Sequence, residues 1–386
     1  MKKIAIITFQ RAHNYGSILQ AYALQHYIKS SPNVEMCKIL DFSNQAQRNM
    51  YAVYHPVTSI KYLIKNVLAF FMKKEFVRQD QDFDLFIERW LDLTKQTYKT
   101  ADEMRGIDEF DAYFAGSDQI WNICCIDADD AYFLNFVENR PKYAYAPSFG
   151  AQNINECAEN PAYYRDLISQ FRRVSIREKN GQKWMQQLLG YDVPLLIDPT
   201  MFYDKSFWSQ YMALPQECGK YILYYSFGFT QEINRAVKKI SKRLGLPVIL
   251  LNVRAWVYKT GFLYGFKYAK HSGPAEFLRY VNDAEIILSN SFHGTVFSAL
   301  FEKNFWYLVG SEHNEQDDRA KTMVEQIGIG DRMLQVGEID DCDFRVLPDY
   351  GKVRANLREL RKSAFEYLDE CLSDIDEAGE MRHSCE

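Results

Sequence analysis

The chain has 386 residues, enough for two or three domains at roughly 150 residues each. Its 51 acidic against 46 basic residues leave a net charge of −5; with no basic excess, the composition argues against a nucleic-acid partner. Hydrophobic (47%) and charged (25%) contents are globular, and the eight cysteines form no CxxC pair or zinc spacing, which fits reduced thiols in a cytoplasmic protein.

KIAIITF (residues 3–9) reads as a buried first strand rather than a leader, because its apolar run is short and passes straight into a helical pattern. No run reaches the roughly 18 apolar residues of a spanning helix. The loop through His13-Asn14-Tyr15-Gly16 leads to a helix over residues 18–31, stopped by SPN, and VEMCKILDF (34–42) is the second strand. This βαβ opening points to a parallel sheet covered on both faces. Residues from about 45 to 105 depart from the rhythm and read as a helical insertion. Within it, Ile60, Leu63, Ile64, Val67, Leu68 and Phe71 form one stripe, with Lys61, Lys65, Lys73 and Lys74 elsewhere on the surface. The stripe is expected to pack on the domain, with docking on an anionic membrane surface as the alternative.

The rhythm returns with FDAYFAG (110–116), ending in Ser117-Asp118-Gln119, and KYAYAPSFG (142–150), which contains Ser148. A helix over about 158–172, a short strand RRVSIRE, a helix closed by Gly190 and a strand VPLLIDPTMF entering a proline turn follow. After a change of unit across residues 203–219 the pattern restarts. Strands are expected in KYILYYSFG, LPVILLNV, EIILSNS and FWYLVG, with helices in TQEINRAVKKISKRLG, GPAEFLRYVNDA and GTVFSALFEKN. Residues 350–375 form a long charged amphipathic helix. The expected organisation is a first lobe over 1–205 carrying the insertion, a second lobe over 206–345, and a C-terminal helix and tail over 346–386.

Ligands of such sheets sit beyond the carboxyl ends of the strands. That selects His13, Asn14, Tyr15, Gly16, Ser117, Asp118, Gln119 and Ser148 as cleft-lining candidates, with Arg177, Asp198, His293 and Gly294 beside them. His293 follows a strand at a helix start, where free N–H groups and the helix dipole favour an anion. Gly294 lets backbone come close to a ligand. The helix N-terminus favours a neutral ring and a bound dianion a charged one, and the anion is expected to win. Arg177 suits bidentate contact with carboxylate or phosphate, or a salt bridge to Glu178 or another acid. Asp198 reads mainly as a turn and positioning residue, and Ser117 and Asp118 as helix caps. A cationic pocket between the lobes is therefore expected. No GxGxxG, P-loop, HExxH, GxSxG or acidic pair stands at a strand end, so neither metal nor cofactor is required. The 26 Tyr, 26 Phe and 6 Trp are mostly core, with some expected to line a sugar cleft.

In order, NYGSILQAYAL, DAYFAGSDQIWN, YAPSFG, VSIREKNG, IDPTMF and GPAEFLRYVNDAEIILSNSFHGTVFSALF resemble the polysaccharide pyruvyl transferase family, as does DDRAKTMVEQIGIGDRM. The resemblance runs from about residue 14 to 333. It implies an α/β fold of two Rossmann-like, GT-B-like lobes. It also implies transfer of a pyruvyl group from phosphoenolpyruvate to two hydroxyls of one sugar, forming a ketal on a bacterial surface polysaccharide or its lipid-linked precursor. His293 matches the family's essential histidine and Arg177 an arginine thought to hold the donor. Ser291, Gly294 and Thr295 at the helix start fall with the donor. Many members read Ser-x-Arg-x-His here; this chain has Ser291 in place of that arginine, and Arg319 is the candidate replacement. A nucleotide-sugar-dependent glycosyltransferase and a non-catalytic sugar-binding protein of an assembly complex are the alternatives. The sequence carries no signal for an oligomeric state.

Overall fold

Strands AYFA (Ala112–Ala115) and IILS (Ile286–Ser289) are buried at every position, as parallel strands covered on both faces must be. They belong to two parallel six-stranded sheets in a computed structural model that describes residues 1–214, 219–226 and 228–383. The first sheet contains β1 (Lys2–Ile7), β2 (Val34–Phe42), β3 (Leu93–Tyr98), β4 (Ala112–Ala115), β5 (Lys142–Ala144) and β6 (Arg173–Val174), in the order β3-β2-β1-β4-β5-β6. The second contains β7 (Ile222–Tyr225), β8 (Val248–Leu250), β9 (Lys267–Tyr268), β10 (Ile286–Ser289), β11 (Phe305–Val309) and β12 (Met333–Gln335), in the order β12-β11-β10-β7-β8-β9. Counted from its own first strand and read from the other edge, the second order is the same as the first. Both are the doubly wound Rossmann order, so the two-lobed, GT-B-like α/β fold holds. The order reverses between β1 and β4 and between β7 and β10, so the loops after these strands open onto the two switch-point crevices.

One apolar core runs through both lobes, from Ile4 and Leu19 to Leu223, Ile287 and Phe297, while separate cores back the outer faces of each sheet. Local signals act as expected. Asn14 caps helix α1 (Tyr15–Ser30), Thr230 caps the helix Gln231–Leu244, and Gly190 and Gly245 close their helices in the left-handed conformation. The last helix, Tyr350–His383, returns to the first lobe: Tyr367 donates to the Ala144 carbonyl at 2.9 Å, Arg173 pairs with Asp374 at 2.6 Å, and Leu368 and Cys371 are fully buried. Residues 215–218 of the unit change, Phe227 of KYILYYSFG and residues 384–386 of the tail lie outside the described residues.

The insertion departs from expectation twice. After helices α2 (Gln45–Tyr51), α3 (Ile60–Phe71) and α4 (Lys73–Trp90) it supplies β3, an edge strand of the first sheet. Only half-buried, β3 carries no clean period-2 pattern. The α3 stripe, expected to pack, faces outward instead: Ile60 is 77%, Val67 51% and Phe71 76% exposed, while Ala69 is fully buried against a small cluster with Val253 and Val257. The physical reason lies in α4, which takes the place against the body. Phe76 and Phe83 are buried there, and Gln79 donates to Ser272 at 2.9 Å in the second lobe. The insertion is thus a strap from one lobe to the other.

Candidate active site at the lobe junction

Ser291 caps the helix Phe292–Leu300: its hydroxyl accepts from Gly294 N at 3.4 Å, and the Thr295 hydroxyl donates to the Ser291 carbonyl at 2.9 Å. His293 therefore stands in the first turn after β10, and its ring lies against Gly16 across the lobe junction. A Cβ on Gly16 would overlap Nδ1 and Cγ of the imidazole, so only glycine admits this approach. Asn14 fixes that turn of α1 by accepting from Gly16 N at 3.0 Å and Ser17 N at 3.4 Å. Gly294 does for packing what was expected for a ligand: a Cβ there would overlap Ser289 Oγ and come within 2.7 Å of Tyr225 Cδ1.

Asp198 joins the two lobes' functional groups. Its Oδ2 accepts from Arg177 Nη1 at 2.5 Å and lies 3.3 Å from His293 Nε2, while Oδ1 takes Thr200 N at 3.0 Å and Thr200 Oγ1 at 2.6 Å. The Arg177 and His293 side chains are 2% and 5% exposed. Burial alone would raise the Asp198 carboxyl; His293, Arg177 and Thr200 outweigh it and hold the group well below the usual carboxylate range. Arg177 stacks on Phe292, 4.4 Å from the ring centre. Its Nε is buried without a hydrogen-bond partner, while its Nη2 and His293 Nε2 are buried with only the ion-pair contacts to Asp118 and Asp198, at 3.7 and 3.3 Å. Buried donors without a hydrogen-bond partner are rare in folded proteins.

Ser117 and Asp118 do not cap a helix, because the chain bridges to Pro147 instead of starting a turn of helix. Asp118, at φ 71°, accepts from Ser17 Oγ at 2.5 Å and lies 3.7 Å from Arg177 Nη2. Ser117 donates to the Ala146 carbonyl at 2.5 Å and Ser148 accepts from Gly150 N at 3.0 Å; both are fully buried and present no surface to an acceptor in this state. Gln119 N donates to Asp118 Oδ1 at 2.8 Å. Arg319 opens the helix Arg319–Gln326 and is committed to Asp317 by two bonds of 2.6 Å, although Glu178 and Asp118 also lie in its field. Burial pushes Glu178 up to about 7 against the pull of Arg177 and Arg319. The centre is consequently charge-balanced rather than cationic: Asp198, Asp118 and Asp317 offset its arginines, as buried cations require.

Beside this centre lies a cleft of about 360 Å³ whose lining includes His13, Asn14, Tyr15, Tyr225 and Arg254. Asp80 of α4 ties it across the lobes, bonding Arg254 at 2.9 and 2.7 Å and His13 at 2.8 Å. Burial lowers the proton affinity of His13, and Asp80 and Asp84 more than restore it. Tyr15 stacks between Phe83 and Phe277, at 5.0 and 4.9 Å. A larger cavity of about 740 Å³ lies between Asp204 and the last helix, at the opposite end of the His293 helix. Asp198 as a hub and the Asp80–Arg254 tie escaped the sequence reading, and the acid that pairs with Arg177 is Asp198 rather than Glu178. Only Asp198, in a post-strand loop, carried a usable signal.

Fold and site together define a two-lobed α/β protein with a histidine–arginine–aspartate centre at the lobe junction. The polysaccharide pyruvyl transferase family model matches residues 14–312, and the chain belongs to that family. Among solved structures it is similar to the UDP-GlcNAc 2-epimerase from Methanocaldococcus jannaschii, with 10% identity over 95% of this chain and 100% of that one and a TM-score of 0.48. It is similar also to S. aureus MnaA in complex with UDP (11%, 93% and 88%, TM-score 0.48) and to E. coli heptosyltransferase WaaC with ADP-2-deoxy-2-fluoro heptose (13%, 84% and 99%, TM-score 0.37). No curated protein matches the sequence significantly.

Proposed function

We propose that the protein transfers a pyruvyl group from phosphoenolpyruvate to two hydroxyls of one sugar, closing a cyclic ketal on a bacterial surface polysaccharide or its lipid-linked precursor. Family membership supports the reaction class. The observation that carries the residue assignment is the buried centre in which Arg177 Nη1 and His293 Nε2 both face Asp198 Oδ2 while Arg177 Nε is left without a partner.

Acting as the acid, His293 gives a proton to the methylene carbon of the donor, which becomes a methyl group. The positive charge this leaves at C2 is attacked by a sugar hydroxyl, whose proton returns to the imidazole. Phosphate departs with the electrons of its bond to C2, and the second hydroxyl adds there to close the ring. The hydroxyls lose two protons: one balances the methyl group and the other leaves on phosphate. The Arg177 donors hold the donor's carboxylate or phosphate in a dry site, where such contacts are strongest. Because both side chains are almost wholly buried, donor entry requires the lobes to part along the Gly16–His293 contact.

The same reading places the protein in the cytoplasm at the inner membrane face. No helix among the described residues is long and apolar enough to cross a membrane. The outward apolar face of α3 instead suits an anionic lipid surface, because residues 42–74 contain Arg48, Lys61, Lys65, Lys73 and Lys74 and no carboxylate. Calorimetry with phosphoenolpyruvate and with uridine and adenosine diphosphates tests the donor. Binding of phosphoenolpyruvate that weakens in Arg177→Gln supports the reading, and binding of a nucleotide diphosphate alone overturns it in favour of a glycosyltransferase.

A further inference from the structure

The net positive charge missing from the His293 centre is found next door. The cleft lining draws Lys61 and Lys65 from α3 and Lys259 from the end of the helix Val253–Tyr258, and among the described residues it includes no Asp or Glu. Among the described residues none of these three lysines is in an ion pair, and the carboxylate of Asp80 is already taken by Arg254 and His13. Lys65 sits 5.3 Å from the ring centres of both Tyr62 and Tyr258, which holds its ammonium in place. Burial, then Lys61 and Lys259, lower its proton affinity, so the three ammonium groups are close enough to repel one another. His55, also in the lining, is lowered by burial and by Lys65 and Arg254. An anion in the cleft relieves this repulsion.

Two further features narrow the anion. The cleft shares its walls with the His293 centre, through Tyr15 beside Gly16 and through Tyr225 against Gly294. On its other side it borders α3, whose outer face exposes Leu63, Ile64, Val67 and Phe70. We propose that this cleft is a phosphate subsite in which Lys61, Lys65 and Lys259 grip the phosphate or diphosphate ester of an acceptor with an apolar tail. The tail runs out along α3 and the sugar reaches toward His293. The identity of the group beyond the phosphate rests on the pyruvyl-transfer reading; the grip itself does not.

The test is calorimetric titration of the whole protein with inorganic diphosphate and with farnesyl diphosphate, in the presence and absence of excess phosphoenolpyruvate. The proteins compared are wild type, His293→Gln and the triple variant Lys61→Gln/Lys65→Gln/Lys259→Gln. Both probes are expected to bind wild type and His293→Gln alike, farnesyl diphosphate more tightly. The triple variant should weaken both at least ten-fold while keeping its circular dichroism and melting temperature. Lys61→Gln alone, at an exposed position, should weaken them less and serves as the folded control. Affinity indifferent to the lysines overturns the subsite, and equal affinity for the two probes overturns the apolar tail. Displacement by phosphoenolpyruvate assigns the lysines to the donor and overturns the acceptor role. If phosphoenolpyruvate never binds while diphosphate binding stays lysine-dependent, the pyruvyl-transfer reading falls and the subsite stands.

Discussion

Replacing Asp198 by asparagine removes the one charge that both Arg177 and His293 touch, at 2.5 and 3.3 Å, while leaving an amide oxygen to accept from Thr200. Breaking a buried pair from one side typically costs about 3–5 kcal/mol, because the partner is left charged and dry. The retained Thr200 bonds place this case near the lower end, about 3 kcal/mol. For a unit the size of the first lobe that corresponds to a fall of roughly 6–12 °C in melting temperature. Urea titration of Asp198→Asn against wild type measures it without any acceptor. The pH dependence follows from the depressed carboxyl. The contribution is fully present above the unfolded value near 4 and is lost as pH falls through the folded value below it. The difference between the two proteins should therefore persist from pH 5 to 8 and shrink below about pH 4. Adding Arg177→Met, which removes the stranded cation, should recover part of the loss. A difference under about 1 kcal/mol at pH 7, or no recovery in the double variant, would refute the account of a desolvated hub.

Gly16→Ala puts a methyl group where the His293 ring lies, whereas carbon contacts settle near 3.5–4 Å, so ring or lobe must shift by more than about 1 Å. Turnover, followed as phosphate release from phosphoenolpyruvate, should drop roughly 10²-fold while the circular dichroism spectrum is kept; an unchanged rate contradicts the contact. Wild type should co-sediment with phosphatidylglycerol vesicles and less with phosphatidylcholine vesicles. Leu63→Ser/Val67→Ser/Phe70→Ser should abolish this without altering phosphoenolpyruvate binding, and unchanged sedimentation would leave α3 without its lipid surface.

Much of the fold was legible because parallel strands and their helices write strong local patterns. VEMCKILDF coincides with β2 from Val34 to Phe42, and the helix Lys179–Leu189 ends at Gly190 as its sequence says. The edge strands β9 and β12, two and three residues long, are too short to show any period. The direction of α3 was illegible because an amphipathic stripe says that a face is apolar, not what covers it. At the site, the post-strand loops pointed to His293, Arg177 and Asp118 one by one. Arg177 and His293 meet on Asp198 and Asp118 approaches Arg177, so residues 118, 177, 198 and 293 come together through tertiary contact alone, which no local pattern records. The same holds for Gly16, whose role is set by a side chain from the other lobe.

Running the transfer in deuterium oxide, with the product's methyl group read by mass spectrometry and NMR, tests the central chemistry most directly. Protonation of the methylene carbon by an acid in exchange with solvent predicts one deuterium in that methyl group for wild type, and no product from a folded His293→Gln protein. A methyl-bearing ketal without solvent deuterium, or His293→Gln turnover at the wild-type rate, would contradict it.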